Sequence, residues 1–299
     1  MANSSVAPQV AFIGLGNMGE PMVANLRKAG IAVKVFDADT VRAQEVARRH
    51  GATACADWAA LAAGSAVVIT MLPTGAVVRN VLLEAADGLA THLRPGTVVV
   101  DMSSSEPLST RELGLLLQER QLALVDAPVS GGVPGAVAGT LSIMAGARDG
   151  ADIDKAMPAF EAMGKRVFRT GGPGSGHAMK ALNNFVAATA YAATAEAVLI
   201  GDKFGLDEAL MVEIINTSTG RSFNSEVVFA SHVVPRKFAT GFAMGLMAKD
   251  VGIASQLGVA LGVDAPVSRL VSQRWEAARQ ALGDSCDQSR ALLAWGVKP

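Results

Sequence analysis

"VAFIGLGNMGEPMVANL", residues 10–26, passes from an apolar run through a glycine-rich turn directly into a helical pattern. Gly14, Gly16 and Gly19 stand in G-x-G-x-x-G spacing. Between a strand-like run and a helix, that spacing marks a dinucleotide-binding turn. Gly14 permits the tight turn, Gly16 lets backbone amides reach a pyrophosphate, and Gly19 lets the helix approach the strand. The helix N-terminus adds partial positive charge. Leu15, Asn17 and Met18 fill the loop and complete the expected cradle.

The second strand-like run, "AVKVFD", ends at Asp37, where a carboxylate would accept hydrogen bonds from the adenosine ribose and repel a 2′-phosphate. Ala38, Asp39 and Thr40 follow without an adjacent arginine, so NAD is expected over NADP. Arg42 is the residue that would reverse this preference.

Working outward, strand-like runs recur at 66–72 (AVVITML), 97–103 (TVVVDMS) and 122–129 (LALVDAPV), separated by helical stretches. Continuous aliphatic strands alternating with helices predict a parallel sheet covered on both faces, a doubly wound α/β domain. The segments 140–147 and 165–172 read as late strands of the same domain. After "GGPGSG" (171–176) the β-branched runs stop and the remainder reads as helices. The expected division is a dinucleotide-binding Rossmann-type domain over 1–172 and an all-α domain over 173–299. The first eight or so residues and the last few carry no structural signal.

The chain has 299 residues, half of them apolar, a net charge of −1 and two cysteines, Cys55 and Cys286, far apart in sequence. Two domains with a sizeable core are possible at this length. The charge balance argues against nucleic acid or an anionic membrane as partner. Cysteine usage argues against a disulfide framework or a metal site and fits a reducing, cytoplasmic compartment. "MANSSVAPQ" lacks the basic and apolar regions of a secretory leader. The alanine-rich run 185–201 carries Glu196 and spans about 17 residues, shorter than a typical bilayer crossing, so it reads as a buried soluble helix.

"GSGHAMKALNN" (174–184) opens that helix. At about 100° per residue, Lys180 and Asn184 lie about 40° apart, with His177 and Asn183 to either side. The wheel predicts a polar face bearing these four and a core face bearing Met179, Leu182 and Phe185, with Tyr191 and Thr194 continuing the polar stripe. From the residues alone, Lys180 is either a first-turn lysine with its ammonium in water or an amine turned into a cleft beside the dinucleotide. A lysine partly removed from water exchanges its proton closer to neutrality and can take one from a substrate hydroxyl.

Four motifs in order, "FIGLGNMGEPMVANL", "DAPVSGGVPGAVAGTLSIMAG", "GSGHAMKALNN" and "GFAMGLMAKDVGIA", resemble the β-hydroxyacid dehydrogenase family across essentially the whole chain. That family includes 3-hydroxyisobutyrate dehydrogenase and tartronate semialdehyde (2-hydroxy-3-oxopropionate) reductase. The resemblance implies that Lys180 is the catalytic acid/base and that Asn184 with the turn Ser130, Gly131, Gly132 holds the substrate carboxylate and hydroxyl. It places Lys249 over cofactor and substrate, although a surface helix lysine is the alternative there, and it lines the cofactor with Leu72, Pro73, Val77 and Ser104. Phe223 stands where many 3-hydroxyisobutyrate enzymes have tryptophan. The expected activity is oxidation of a short 3-hydroxy acid with NAD, with tartronate semialdehyde reduction or a non-catalytic dinucleotide sensor as alternatives. A homodimer or homotetramer is expected.

Overall fold

Alternate residues of the first strand, Val10–Ile13 (β1), are buried on opposite faces: Val10 and Phe12 pack into one core cluster, Ala11 and Ile13 into another. Val67–Thr70 (β4) and Val98–Asp101 (β5) repeat this, with Ile69 and Val100 on the first face and Val68 and Val99 on the second. Side chains two apart share a face, so continuous apolar strands require helices on both sides of the sheet. The computed structural model describes residues 9–84 and 87–296. The leader reading and the signal-poor termini fall almost wholly outside the described residues.

The chain divides into two compact units, Met1–Lys180 and Ala181–Pro299. In the first, β1 is joined by Val33–Phe36 (β2), Thr53–Ala54 (β3), β4, β5, Ala123–Asp126 (β6), Val129–Ser130 (β7), Leu141–Ala147 (β8) and Gly164–Gly171 (β9). Strand order is β3-β2-β1-β4-β5-β6-β8-β7, with β9 paired to β8. The parallel part reproduces the 3-2-1-4-5-6 order of doubly wound nucleotide-binding sheets. The predicted run 122–129 is broken at Ala127 and Pro128 into β6 and β7. Both pair antiparallel with β8, so the sheet is mixed at this side. β7 extends the line of β6 past the carboxyl edge and lifts Ser130 above it.

Helices of this unit are Gly19–Lys28 (α1), Thr40–His50 (α2), Trp58–Ala62 (α3), Gly75–Arg79 (α4), Pro107–Gln118 (α5), Gly132–Ala138 (α6) and Gly150–Met163 (α7). Their ends follow local chemistry. Asp39 caps α2 by accepting from the Arg42 amide at 3.1 Å, and Gly51, with φ of 67°, closes it in the left-handed conformation.

Ser175–Phe204 (α8) starts in the first unit and continues into the second, which adds Glu208–Thr217 (α9), a π-helical stretch Asn224–Val233, Met244–Ala260 (α10), Pro266–Leu282 (α11) and Ala291–Trp295 (α12). Tyr191, Phe229, Trp275 and Trp295 cluster at its centre, with the Tyr191 hydroxyl donating to the Ser289 carbonyl at 2.7 Å.

The face of α8 differs from the wheel reading. His177, Asn184, Tyr191 and Val198 are buried, as are Ala181, Ala188 and Ala195, whereas Met179 and Leu182 are 45% and 42% exposed. Buried positions therefore recur every seven residues, and His177 and Asn184 head the buried stripe rather than opposing it. They are tolerated there because each is hydrogen-bonded. Tyr191 belongs to the core, and Thr194 bonds its own helix at Ala190.

Candidate active site

The strands β1, β2, β4, β5 and β6 run parallel, so the loops after them emerge on one edge. That edge is where doubly wound folds bind ligands. Gly14 has φ of 95°, and a Cβ there would run into the Met71 carbonyl; a Cβ on Gly19 would strike the Gly14 carbonyl. Gly16 and Asn17 are exposed, nothing stands within 4 Å of a Cβ built on Gly16, and no side chain caps α1 at Met18. An open backbone turn ahead of an uncapped helix start fits a pyrophosphate.

Asp37 has a role the sequence reading lacked. Its Oδ2 accepts from the Leu15 amide at 2.7 Å and its Oδ1 from the Asp39 amide at 2.9 Å, tying the glycine turn to the end of β2. Arg42, one turn into α2, places its guanidinium 3.8 Å from Asp37 and 3.6 Å from Asp39. The basic residue singled out as the one to favour NADP is therefore drawn to the two carboxylates.

Leu72 and Pro73 follow β4, Val77 lies on α4 with 38% exposure, and Ser104 follows β5 half-buried. The Leu72 amide donates to Ser103 Oγ at 2.9 Å, so Ser103 joins these two loops. Beneath them lies Asp101, which accepts from the Thr70 hydroxyl, the Ser103 amide and the Ser105 hydroxyl at 3.0, 3.0 and 2.8 Å. Ser130 ends β7, and Gly131 and Gly132 have φ of 131° and 60°, which L side chains rarely adopt. Both glycines are exposed, leaving their backbone open to an anion.

Lys180 lies on the second turn of α8, partly buried. The start of this helix is held to the sheet by Asp126, whose two oxygens accept from the Gly174 amide at 2.8 Å and the His177 amide at 2.9 Å. Burial raises the Asp126 carboxyl above its ordinary range, opposed by His177 and these two amides.

The second unit holds the remaining expected substrate residues. Asn184 Nδ2 donates to Asp250 Oδ2 at 2.7 Å, and Lys249 Nζ is 3.5 Å from Asp250 Oδ1. Asp250 is thus the shared partner of two residues that the sequence reading named separately. Its signal was the K-D pair itself. Asp101 and Asp126 were equally visible as single acids closing aliphatic runs. Phe223 is 69% exposed ahead of the π-helical stretch.

A glycine turn open to a pyrophosphate, a second glycine turn open to an anion and an amine on a helix tied to the same sheet edge fit a nicotinamide-dependent dehydrogenase. Residues 9–172 match the model of the NAD binding domain of 6-phosphogluconate dehydrogenase, and residues 174–295 that of the NAD-binding domain of NADP-dependent 3-hydroxyisobutyrate dehydrogenase. The chain is 38% identical to 2-(hydroxymethyl)glutarate dehydrogenase of Eubacterium barkeri, over 96% of this chain and 94% of that one. It is 40% identical to the NAD-dependent L-serine dehydrogenase of Pseudomonas aeruginosa, over 88% and 89% of the two chains. The solved structure of Mycobacterium tuberculosis 3-hydroxyisobutyrate dehydrogenase with L-serine superposes with a TM-score of 0.88 at 34% identity, covering 96% of this chain and 99% of that one.

The chain belongs to the β-hydroxyacid dehydrogenase family. It is an NAD-dependent oxidoreductase acting on the CH–OH group of its donor.

Proposed function

We propose that this protein oxidises a short 3-hydroxy acid of the 3-hydroxyisobutyrate kind to its semialdehyde, with Lys180 as general acid/base. The substrates named in the three relatives above share one fragment, a carboxylate whose α-carbon carries a CH₂OH group. The observation that carries the reading is the anchoring of α8: Asp126 ties the start of the lysine helix to the sheet edge at which the dinucleotide turn opens.

In this reading Ser130 with the Gly131 and Gly132 amides binds the carboxylate, and Asn184, its amide oriented by Asp250, binds the hydroxyl. NAD, when bound, accepts the hydride from the carbinol carbon. Gly14 to Gly19, Asp37, Leu72, Pro73, Val77 and Ser104 hold it, and Lys249 closes over it and the substrate. Lys180 takes the hydroxyl proton as the carbonyl forms, and returns it in the reverse direction. The protein contributes orientation and proton transfer.

The exposed apolar residues of α8, Met179, Leu182, Val186 and Ile200, support assembly as a homodimer or homotetramer, and the cysteine usage supports a cytoplasmic compartment. The sequence boundary is placed in the glycine-rich junction, between residues 172 and 173, whereas the two compact units part at Lys180 and Ala181, within α8. A steady-state panel tests the substrate: 3-hydroxyisobutyrate, L-serine and 2-(hydroxymethyl)glutarate with NAD and NADP, and tartronate semialdehyde with NADH. The reading expects the highest kcat/KM for 3-hydroxyisobutyrate with NAD. Preference for tartronate semialdehyde, or no turnover of any of them, contradicts it.

A further inference from the structure

The imidazole of His177 is completely enclosed, yet it forms no part of the reaction just described. Its ring meets a built set of polar groups. Nδ1 lies 2.8 Å from Thr110 Oγ1 on α5, and Nε2 faces Asp101 Oδ2 at 3.7 Å. Asp126 Oδ2, which already accepts the His177 backbone amide, is 4.0 Å from Nδ1. Nε2 makes no hydrogen bond among the described residues. The Thr110 hydroxyl donates its single hydrogen to the Glu106 carbonyl at 3.0 Å, so toward the imidazole it accepts, and Nδ1 carries the hydrogen of that bond.

The surroundings make this contact specific. Asp101 is held at the end of β5 by Thr70, Ser103 and Ser105, and Asp126 stands at the adjacent strand end, β6. The helix start is pressed against them, since a Cβ on Gly176 would collide with the Met144 and Asp126 carbonyls and one on Gly174 with the Pro107 carbonyl. His177 thus connects the first turn of α8 to α5 and to two strand ends at once. Lys180 lies three residues further along the same helix, close to one turn away and on the same side.

We propose that His177 is a positioning residue for Lys180: through an Nδ1–H donated to Thr110 and a ring enclosed against Asp101 and Asp126, it fixes the rotation of the first turns of α8 and so the aim of the Lys180 amine. This rests on the reading of Lys180 as the acid/base. Fixing matters because a misplacement of about 1 Å at a reacting group costs on the order of 100-fold in rate.

Two substitutions separate the two ring contacts. An asparagine amide reaches as far as Nδ1 and can donate to Thr110, whereas a glutamine amide extends to the place of Nε2 and leaves Thr110 without its donor. His177→Asn is therefore expected to keep kcat within about fivefold of the wild type, and His177→Gln to lower it about 30-fold, both with NADH affinity within about twofold. The direct readout needs no turnover. ¹⁵N-histidine NMR of the wild-type protein, with the His177 signals assigned by their absence in either variant or by their contact to Thr110, is expected to show a hydrogen on Nδ1 that exchanges slowly with water. An Nδ1 without hydrogen, or a folded His177→Gln protein with wild-type kcat, overturns the proposal. Wild-type turnover in Lys180→Ala with the Nδ1–H signal intact instead sinks the acid/base reading, so the two failures are told apart.

Discussion

Asn184 and Asp250 meet 2.7 Å apart in the interior of the second unit, both more than nine-tenths buried, with the amide nitrogen donating to the carboxylate. This bond orients the carboxamide, whose oxygen accepts from Asn183 Nδ2 at 3.2 Å, leaving the second N–H and an oxygen lone pair for other partners. Asp250→Ala removes the acceptor and is expected to lower kcat/KM about 10- to 100-fold, raising the KM of the hydroxy acid more than that of NAD. Asp250→Asn restores an acceptor and is expected to recover most of the loss. Steady-state kinetics of both variants, with thermal unfolding as a control, checks this.

In the proposed function, Asp37 and Arg42 together set the cofactor preference. The carboxylate repels a 2′-phosphate and also holds the guanidinium that would otherwise bind it. Asp37→Asn removes the charge while keeping an acceptor for the Leu15 amide. The ratio of kcat/KM with NADP to that with NAD is expected to rise at least about tenfold, with little change in melting temperature. Adding Arg42→Ala to Asp37→Asn is expected to cancel the gain.

The glycines of "GSGH" are predicted to be structural rather than catalytic. Gly176→Ala places a methyl against two backbone carbonyls that cannot rotate away, and is expected to destabilise the first unit by about 1–3 kcal/mol. Gly252, inside α10 with open space around it, provides the contrast. Gly252→Ala is expected to stabilise by about 0.5–1 kcal/mol, because alanine restricts the unfolded chain and suits a helix. Denaturant unfolding of the two variants distinguishes them.

The centre of the sheet was legible because β1, β4 and β5 are short, aliphatic and buried on both faces, whereas β3, two exposed residues, carries no such pattern. What escaped was the break at Ala127 and Pro128, since a proline two residues after an aspartate looks like a strand end whether or not pairing resumes at Val129. The glycine turn and Asp37 were legible as a motif, while the bond from Asp37 back to Leu15 was not, because its partners stand 22 positions apart in sequence. The wheel of α8 misassigned its faces for a related reason. It ranked residues by polarity, but His177 and Asn184 are buried through partners at Thr110, Asp126 and Asp250, which lie 51 to 67 positions away. Polarity alone does not reveal whether such partners exist.

The central claim is that Lys180 moves the substrate proton, and Lys180→Ala tests it most directly. NADH binding is followed by fluorescence, and turnover by the absorbance of reduced nicotinamide with saturating 3-hydroxyisobutyrate and NAD. The account predicts a folded variant that binds NADH within about threefold of the wild type and whose kcat is lower by about 100- to 10,000-fold, the usual contribution of a placed acid/base. A variant that binds NADH and turns over at close to the wild-type rate would contradict it.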